Sequence, residues 1–170
     1  MFLTTGASAN TAQYCAAMAA PAGTTVHAHC FTTFAASIRF ATGGKIQLAD
    51  ATHARRVSEA ELYGATAATR APNTTYVLSV DYHDSGFQGS TFTWYQSSTC
   101  GAFQASSMPS GWNDQISSVI AYSGCATTLF WDSGFGKPTY PIRVDGSASS
   151  LGSFNDQTSS QKWCHSYPCA

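Results

Sequence analysis

The sequence predicts a mainly β protein built on a duplicated unit, with a small mixed α/β segment ahead of it. Three observations carry that prediction. From Tyr76 onward, short β-rich runs alternate with turns of Gly, Ser and Asp, the pattern of a sandwich or barrel. Two separate blocks in this half recur in the same order, as an internal repeat does. The composition is poor in charge and rich in small residues, with an even number of cysteines.

The first run is Tyr76-Val77-Leu78-Ser79-Val80-Asp81-Tyr82 and the second is Ser90-Thr91-Phe92-Thr93-Trp94-Tyr95. Both are dense in β-branched and aromatic residues, which suit a pleated, half-buried surface. The first repeated block is Asp84-Ser85-Gly86-Phe87, which returns 48 residues later as Asp132-Ser133-Gly134-Phe135. The second, Asn113-Asp114-Gln115-Ile116-Ser117-Ser118, returns 42 residues later as Asn155-Asp156-Gln157-Thr158-Ser159-Ser160. The six-residue difference is a loop shortened in the second copy. A duplicated unit that buries its apolar face against its own copy explains both matches.

Those residues resemble a known family. The run Tyr82-x4-Phe87-x-Gly89 is similar to the aromatic-hairpin signature of βγ-crystallin Greek keys, where an aromatic pair folds over a tight glycine turn. Both NDQ blocks resemble that family's calcium-binding segment: two Asn/Asp residues, two variable ones, then Ser/Thr and Ser. The resemblance spans about residues 76–164 and implies two Greek-key motifs forming a βγ-crystallin-like sandwich over residues 76–170. The second copy departs at one point. Phe130-x4-Phe135 is present, but Lys137 stands where glycine belongs and Gly136 comes one place early, so a distorted second hairpin is expected.

The resemblance also implies two calcium ions, each clamped by both motifs. Carried over, the ligands are Asp114, the Gln115 carbonyl and Ser117 in the first copy, with Asp156, the Gln157 carbonyl and Ser159 in the second. Asn113 and Asn155 are secondary candidates, and carbonyls near Ser85 and Ser133 in the hairpins add to the set. The residue types suit the ion, since calcium takes several oxygen ligands and tolerates irregular geometry. With about one carboxylate per ion, the expected affinity is modest, roughly micromolar to millimolar. The competing reading is that Asn-Asp and Ser-Ser only form turns by bonding to their own backbone.

Ahead of this half, residues 1–28 are Ala-rich and end in Val26-His27-Ala28, small residues of the kind a signal peptidase reads. No Lys or Arg follows Met1, and polar residues interrupt the apolar run, so a degenerate export signal and a disordered leader both stand. Cleavage after Ala28 would remove Cys15 and leave five cysteines. Residues 29–64 form a mixed segment. Phe31, Phe34, Ile38 and Ala41 follow helical spacing up to Gly43-Gly44, and Lys45-Ile46-Gln47-Leu48 alternates like a short strand. Ser58-Glu59-Ala60-Glu61 is a capping box, with Val57 and Leu62 placed for a hydrophobic staple. Residues 65–75 read as a linker, with Pro72 and the sequon Asn73-Thr74-Thr75.

Charge divides the chain in the same place. Residues 1–75 hold five Lys/Arg and three Asp/Glu, and residues 76–170 hold three and six. The formal net charge of −1 argues against a nucleic-acid surface, and no apolar run is long enough to span a membrane. Six cysteines without metal-type spacing point to disulfides and an extracellular setting. His83-Asp84-Ser85 has the residue types of a hydrolase triad, but three consecutive residues do not converge on one atom, so no catalytic residues are assigned. Most of the aromatic residues are read as core. The functional expectation is a secreted, non-enzymatic calcium-binding protein whose ions mainly stabilise the fold. Two alternatives remain: a secreted metalloproteinase inhibitor, suggested by the Trp112-Asn113-Asp114 turn, and an antimicrobial or toxin-like factor.

Overall fold

The computed structural model describes residues 12–20, 24, 26–49, 52–63, 75–136 and 142–165. In chain order the elements are β1 (Tyr14–Met18), β2 (Ala28–Phe31), α1 (Phe34–Ala41), α2 (Glu59–Tyr63), β3 (Tyr76–Asp84), β4 (Gln88–Gln96) and β5 (Phe103–Ala105). They continue as β6 (Ser118–Ala121), β7 (Ala126–Phe130), β8 (Ile142–Asp145), β9 (Ser147–Ala148) and β10 (Ser160–Cys164). Single 3-10 turns occupy Ser133–Phe135 and Gly152–Phe154.

Two sheets face each other. One runs β2-β1-β4-β3-β6-β9 and the other β5-β10-β7-β8. The order β4-β3-β6 in the first sheet matches β8-β7-β10 in the second, so the two repeats are arranged alike. In each unit the fourth strand returns to lie beside the first, as in a Greek key, while the third crosses to the opposite sheet. The exchanged strands, β5 and β9, tie each repeat to its copy. Between the sheets lies a core of Leu78, Phe92, Trp94, Trp112, Ile116, Val119, Leu129, Phe154 and Trp163. Trp94 and Trp163 stack there at 4.9 Å, which places most of the tryptophan surface in packing.

The N-terminal region adds to the larger sheet. Residues 14–18 form β1, a buried strand running parallel to β4. Tyr14, Cys15, Ala16 and Ala17 are almost wholly buried, and a disulfide joins Cys15 to Cys30 of β2 across the Ala28 position. A second disulfide joins Cys100 to Cys125, and none of the described cysteines is free. β1 and β2 extend the larger sheet, and the described part of the mixed segment covers its outer face.

That cover has a physical cause. Val77, Val80, Tyr82, Ile120 and Tyr122 make the outer face of β3 and β6 apolar, and Phe34, Ile38, Val57 and Leu62 pack against it. Each large apolar side chain buried this way contributes about 1.5–3 kcal/mol. Helix α1 begins at Thr33, whose hydroxyl accepts from the Ala36 amide at 3.2 Å. Helix α2 is started by the expected capping box. The Glu61 amide donates to Ser58 Oγ at 3.2 Å, and the Ser58 amide donates to Glu61 Oε2 at 2.8 Å. Val57 and Leu62 are both buried, as a staple requires.

The alternating run Lys45–Leu48 forms no strand. The Ile46 amide instead donates to Thr42 Oγ1 at 3.3 Å, and Ile46 and Leu48 pack against the outer cluster, so the run lies on the helix end. Residues 64–74, with Pro72 and Asn73, and Lys137 lie outside the described residues. Among the described residues no helix is long and apolar enough to cross a membrane.

Candidate metal centre

The two NDQ blocks meet at the junction of the repeats. Each precedes the fourth strand of its unit: Asn113–Ser117 leads into β6 and Asn155–Ser159 into β10. Asp114 and Asp156 both hold left-handed backbone, with φ of 55° and 56°, a region rarely entered by non-glycine residues. The conformation turns each segment toward the other. The Asp114 amide donates to the Thr158 carbonyl and the Asp156 amide to the Ile116 carbonyl, both at 3.0 Å.

This clasp crosses the carboxylates over. Ser117 Oγ donates to Asp156 Oδ1 at 2.9 Å, and Ser159 Oγ donates to Asp114 Oδ1 at 3.1 Å. Each hydroxyl of one block therefore sits beside the carboxylate of the other. The serine backbones are fixed as well, with the Ser117 amide bonded to the Tyr82 carbonyl and the Ser159 amide to the Phe130 carbonyl, each at 2.9 Å. Asp156 and Ser117 thus lie beside the first hairpin, and Asp114 and Ser159 beside the second.

The remaining candidates take supporting places. Asn113 Nδ2 donates to Asp114 Oδ2 at 2.7 Å and orients that carboxylate. Asn155 accepts from the Leu151 amide at 2.9 Å and donates to Ser85 Oγ at 3.3 Å, so Ser85 is brought to the second block. Gln115 Nε2 donates to the Asp114 carbonyl at 2.8 Å. Gln157 is half-buried between Asp156 and Thr158. Ser133 is exposed at the head of the second turn, and among the described residues no hydrogen bond ties its side chain to either block.

The hairpins flank both pairs in the same way. Tyr82 and Phe87 meet at 5.5 Å, and Phe130 and Phe135 at 5.4 Å, both edge to face. Ser118 Oγ donates to the Asp84 carbonyl and Ser160 Oγ to the Asp132 carbonyl, each at 2.6 Å. Phe87 and Phe135 have φ of 64° and 65°. The described part of the second hairpin, as far as Gly136, repeats these contacts, and Lys137, on which the expected distortion rests, lies outside the described residues. Gly136 fits against Asp132, where a Cβ would lie 2.9 Å from that residue's own Cβ, as Gly89 fits against Asp84. Gly136 supplies one residue early the close approach that Gly89 supplies in the first hairpin.

The copies differ at one position. His83 Nδ1 lies 2.7 Å from Asp84 Oδ1 and its Nε2 lies 3.0 Å from Gln115 Oε1, whereas Trp131, 48 residues later, stacks on Phe154. The Asp84 hydrogen bond raises the His83 pKa above its ordinary value, against the opposing effect of partial burial.

The donor set is oxygen only, with one carboxylate in each pair. Among the described residues no three His, Cys, Asp or Glu side chains converge. The arrangement fits a hard cation that accepts hydroxyl and carbonyl oxygens, and it does not fit zinc, which takes nitrogen and sulfur ligands. Asp114 with Ser159, and Asp156 with Ser117, are the residues that would hold it.

Sequence reasoning missed one group nearby in the core. Asp81 is completely buried between the sheets, where it accepts from Trp94 Nε1 at 2.8 Å, Ser79 Oγ at 3.1 Å and Gln161 Nε2 at 3.3 Å. Burial pushes its pKa up to about 7, against the lowering effect of those three donors. Its signal was present in the chain, as the only carboxylate at an inward position of the Tyr76–Tyr82 run.

No family profile matches the chain, and no curated protein matches it at a significant level. Solved structures similar to it are βγ-crystallin domains. The N-terminal domain of protein S shares 23% identity over 51% of this chain and 93% of its own, with a TM-score of 0.40. A βγ-crystallin domain from Clostridium beijerinckii shares 17% over 52% of this chain and 99% of its own, with a TM-score of 0.41. A βγ-crystallin from Ciona intestinalis shares 27% over 49% and 95%, with a TM-score of 0.39. The similarity therefore reaches about half of this chain and nearly all of each of those domains.

Proposed function

We propose that the protein is a secreted, non-enzymatic, calcium-binding βγ-crystallin-like protein whose two ions mainly stabilise the fold. The observation that supports this is the crossed pairing of Ser117 with Asp156 and Ser159 with Asp114. In each pair a calcium ion would take the neutral serine hydroxyl oxygen and the carboxylate oxygen as ligands in place of the hydrogen bond between them. The Gln115 and Gln157 carbonyls and the hairpin carbonyls near Ser85 and Ser133 would complete the ligand set. An ion held by both repeats binds the folded state alone, so it stabilises the fold by mass action, by about 2.7 kcal/mol at 100 times its dissociation constant. The disulfides support an oxidising, extracellular setting.

The inhibitor reading rested on the Trp112-Asn113-Asp114 turn. Trp112 is buried in the core against Phe92, so its indole is not offered to a protease. The calcium reading is therefore preferred. Its test is thermal unfolding of the wild type with and without calcium, beside the double variant Asp114→Ala, Asp156→Ala. Calcium raises the wild-type melting temperature and leaves the variant unmoved; a wild type indifferent to calcium defeats the reading.

A further inference from the structure

Two cavities flank the first hairpin. One, of about 470 Å³, is lined by His53, Arg55, Arg56, Tyr14, Phe87 and Gln88. The other, of about 460 Å³, is lined by Gln13, His83, Asp84, Ser90 and Gln115. Ala12 and Gly89 line both, so the two are neighbours along a single edge.

The first cavity is cationic in a chain that is not. Only eight Lys and Arg occur in 170 residues, yet two adjacent ones meet His53 here, and no Asp or Glu lines the space. Arg55 is already engaged, bonded to Glu61 at 2.8 Å. Arg56 is exposed, and among the described residues no carboxylate stands within ion-pair distance of it. Its guanidinium lies over the Phe87 ring at 5.6 Å from the centroid. The strap that carries it is anchored on both sides, because Tyr82 Oη donates to the Arg55 carbonyl at 2.9 Å and Tyr122 Oη to the Val57 carbonyl at 2.8 Å. A guanidinium held this way presents its paired N–H groups with little ordering left to lose, which suits two-point capture of a carboxylate.

The second cavity offers a different chemistry. His83 and Gln115 there are bonded to each other and to their neighbours, which leaves the exposed Gln13 amide, the Ser90 hydroxyl and the Asp84 carboxylate as hydrogen-bonding groups that suit sugar hydroxyls. From the juxtaposition of a free Arg56 and this polar row, we infer that the hairpin edge binds an acidic saccharide. The carboxylate of one sugar meets Arg56, and the hydroxyls of the next reach Gln13, Ser90 and Asp84.

The test is calorimetric titration of the full chain with a trimer of galacturonic acid in calcium-free buffer, since such trimers chelate calcium themselves. Maltotriose and a triglutamate peptide serve as comparisons. Saturable binding of the acidic trimer is expected, with maltotriose and triglutamate at least tenfold weaker. Arg56→Gln should lose at least tenfold in affinity with an unchanged melting temperature. Absence of binding to the wild type, equal binding of either comparison compound, or full affinity in Arg56→Gln overturns the inference. Because the titration contains no calcium, its failure leaves the calcium reading to its own test.

Discussion

Ser117 Oγ lies 2.9 Å from Asp156 Oδ1, although 39 residues separate them, and Ser159 with Asp114 repeats the contact from the other side. The relation makes each candidate site a joint property of both repeats. Neither repeat alone holds a hydroxyl and its partner carboxylate.

One consequence concerns stoichiometry. Asp156→Ala removes the carboxylate beside Ser117 and leaves the Asp114–Ser159 pair in place. The variant is therefore expected to bind one calcium ion where the wild type binds two, and equilibrium dialysis counts them. The two single variants should each retain one ion.

The buried Asp81 makes stability depend on pH. Its pKa rises from 3.8 to about 7 on folding, so the folded state holds the proton more tightly than the unfolded chain. Its favourable contribution is complete below about pH 3.8 and is lost as pH climbs through about 7, an effect of up to roughly 4 kcal/mol. The neutral form also suits its surroundings, since the buried Gln161 Oε1 lacks a hydrogen-bond donor. Turned over, that amide would accept a hydrogen bond from the protonated Asp81 carboxyl. Asp81→Asn should accordingly flatten the dependence, and urea unfolding midpoints between pH 5 and pH 8 measure it.

At Gly89 the first hairpin leaves no space for a side chain. Its φ is +78°, and a Cβ there would lie 2.5 Å from Asp84 Oδ2. Gly89→Ala is expected to destabilise the fold by at least about 1 kcal/mol through backbone strain and displacement of Asp84. Denaturant unfolding of the variant checks this.

The cap on helix α2 has a smaller effect. Ser58→Ala removes the acceptor for the Glu61 amide and should cost about 0.5–2 kcal/mol, read by the same unfolding assay. Glu61 has its pKa lowered to about 2, chiefly by the Arg55 hydrogen bond. Its contribution is present above the ordinary carboxylate range and fades as pH falls toward 2. Exposure to solvent keeps that contribution small.

Much of the sandwich was legible because the repeats carry their own markers. The aromatic pairs, the turn glycines and the NDQ blocks are local, and each lies where its spacing placed it. The N-terminal strand was not legible. Tyr14-Cys15-Ala16-Ala17 is buried on both faces, so it lacks the alternation that betrays a half-exposed strand. A subtler signal was present in the fourth strands. Ile120 occupies the outer position of β6 that Lys162 occupies in β10, where its ammonium lies 4.7 Å from the Phe135 centroid. At this position the first repeat is apolar where the second is charged, and the N-terminal cover packs on the apolar one. The crossing of serine and aspartate between repeats was implied by the family resemblance alone, since no local pattern tells which block faces which.

Isothermal titration of the intact protein with calcium tests the central reading most directly. Two ions per chain are predicted, with dissociation constants of roughly micromolar to millimolar order, and none in the Asp114→Ala, Asp156→Ala double variant. A wild type that takes up no calcium, or a double variant that binds as the wild type does, contradicts it.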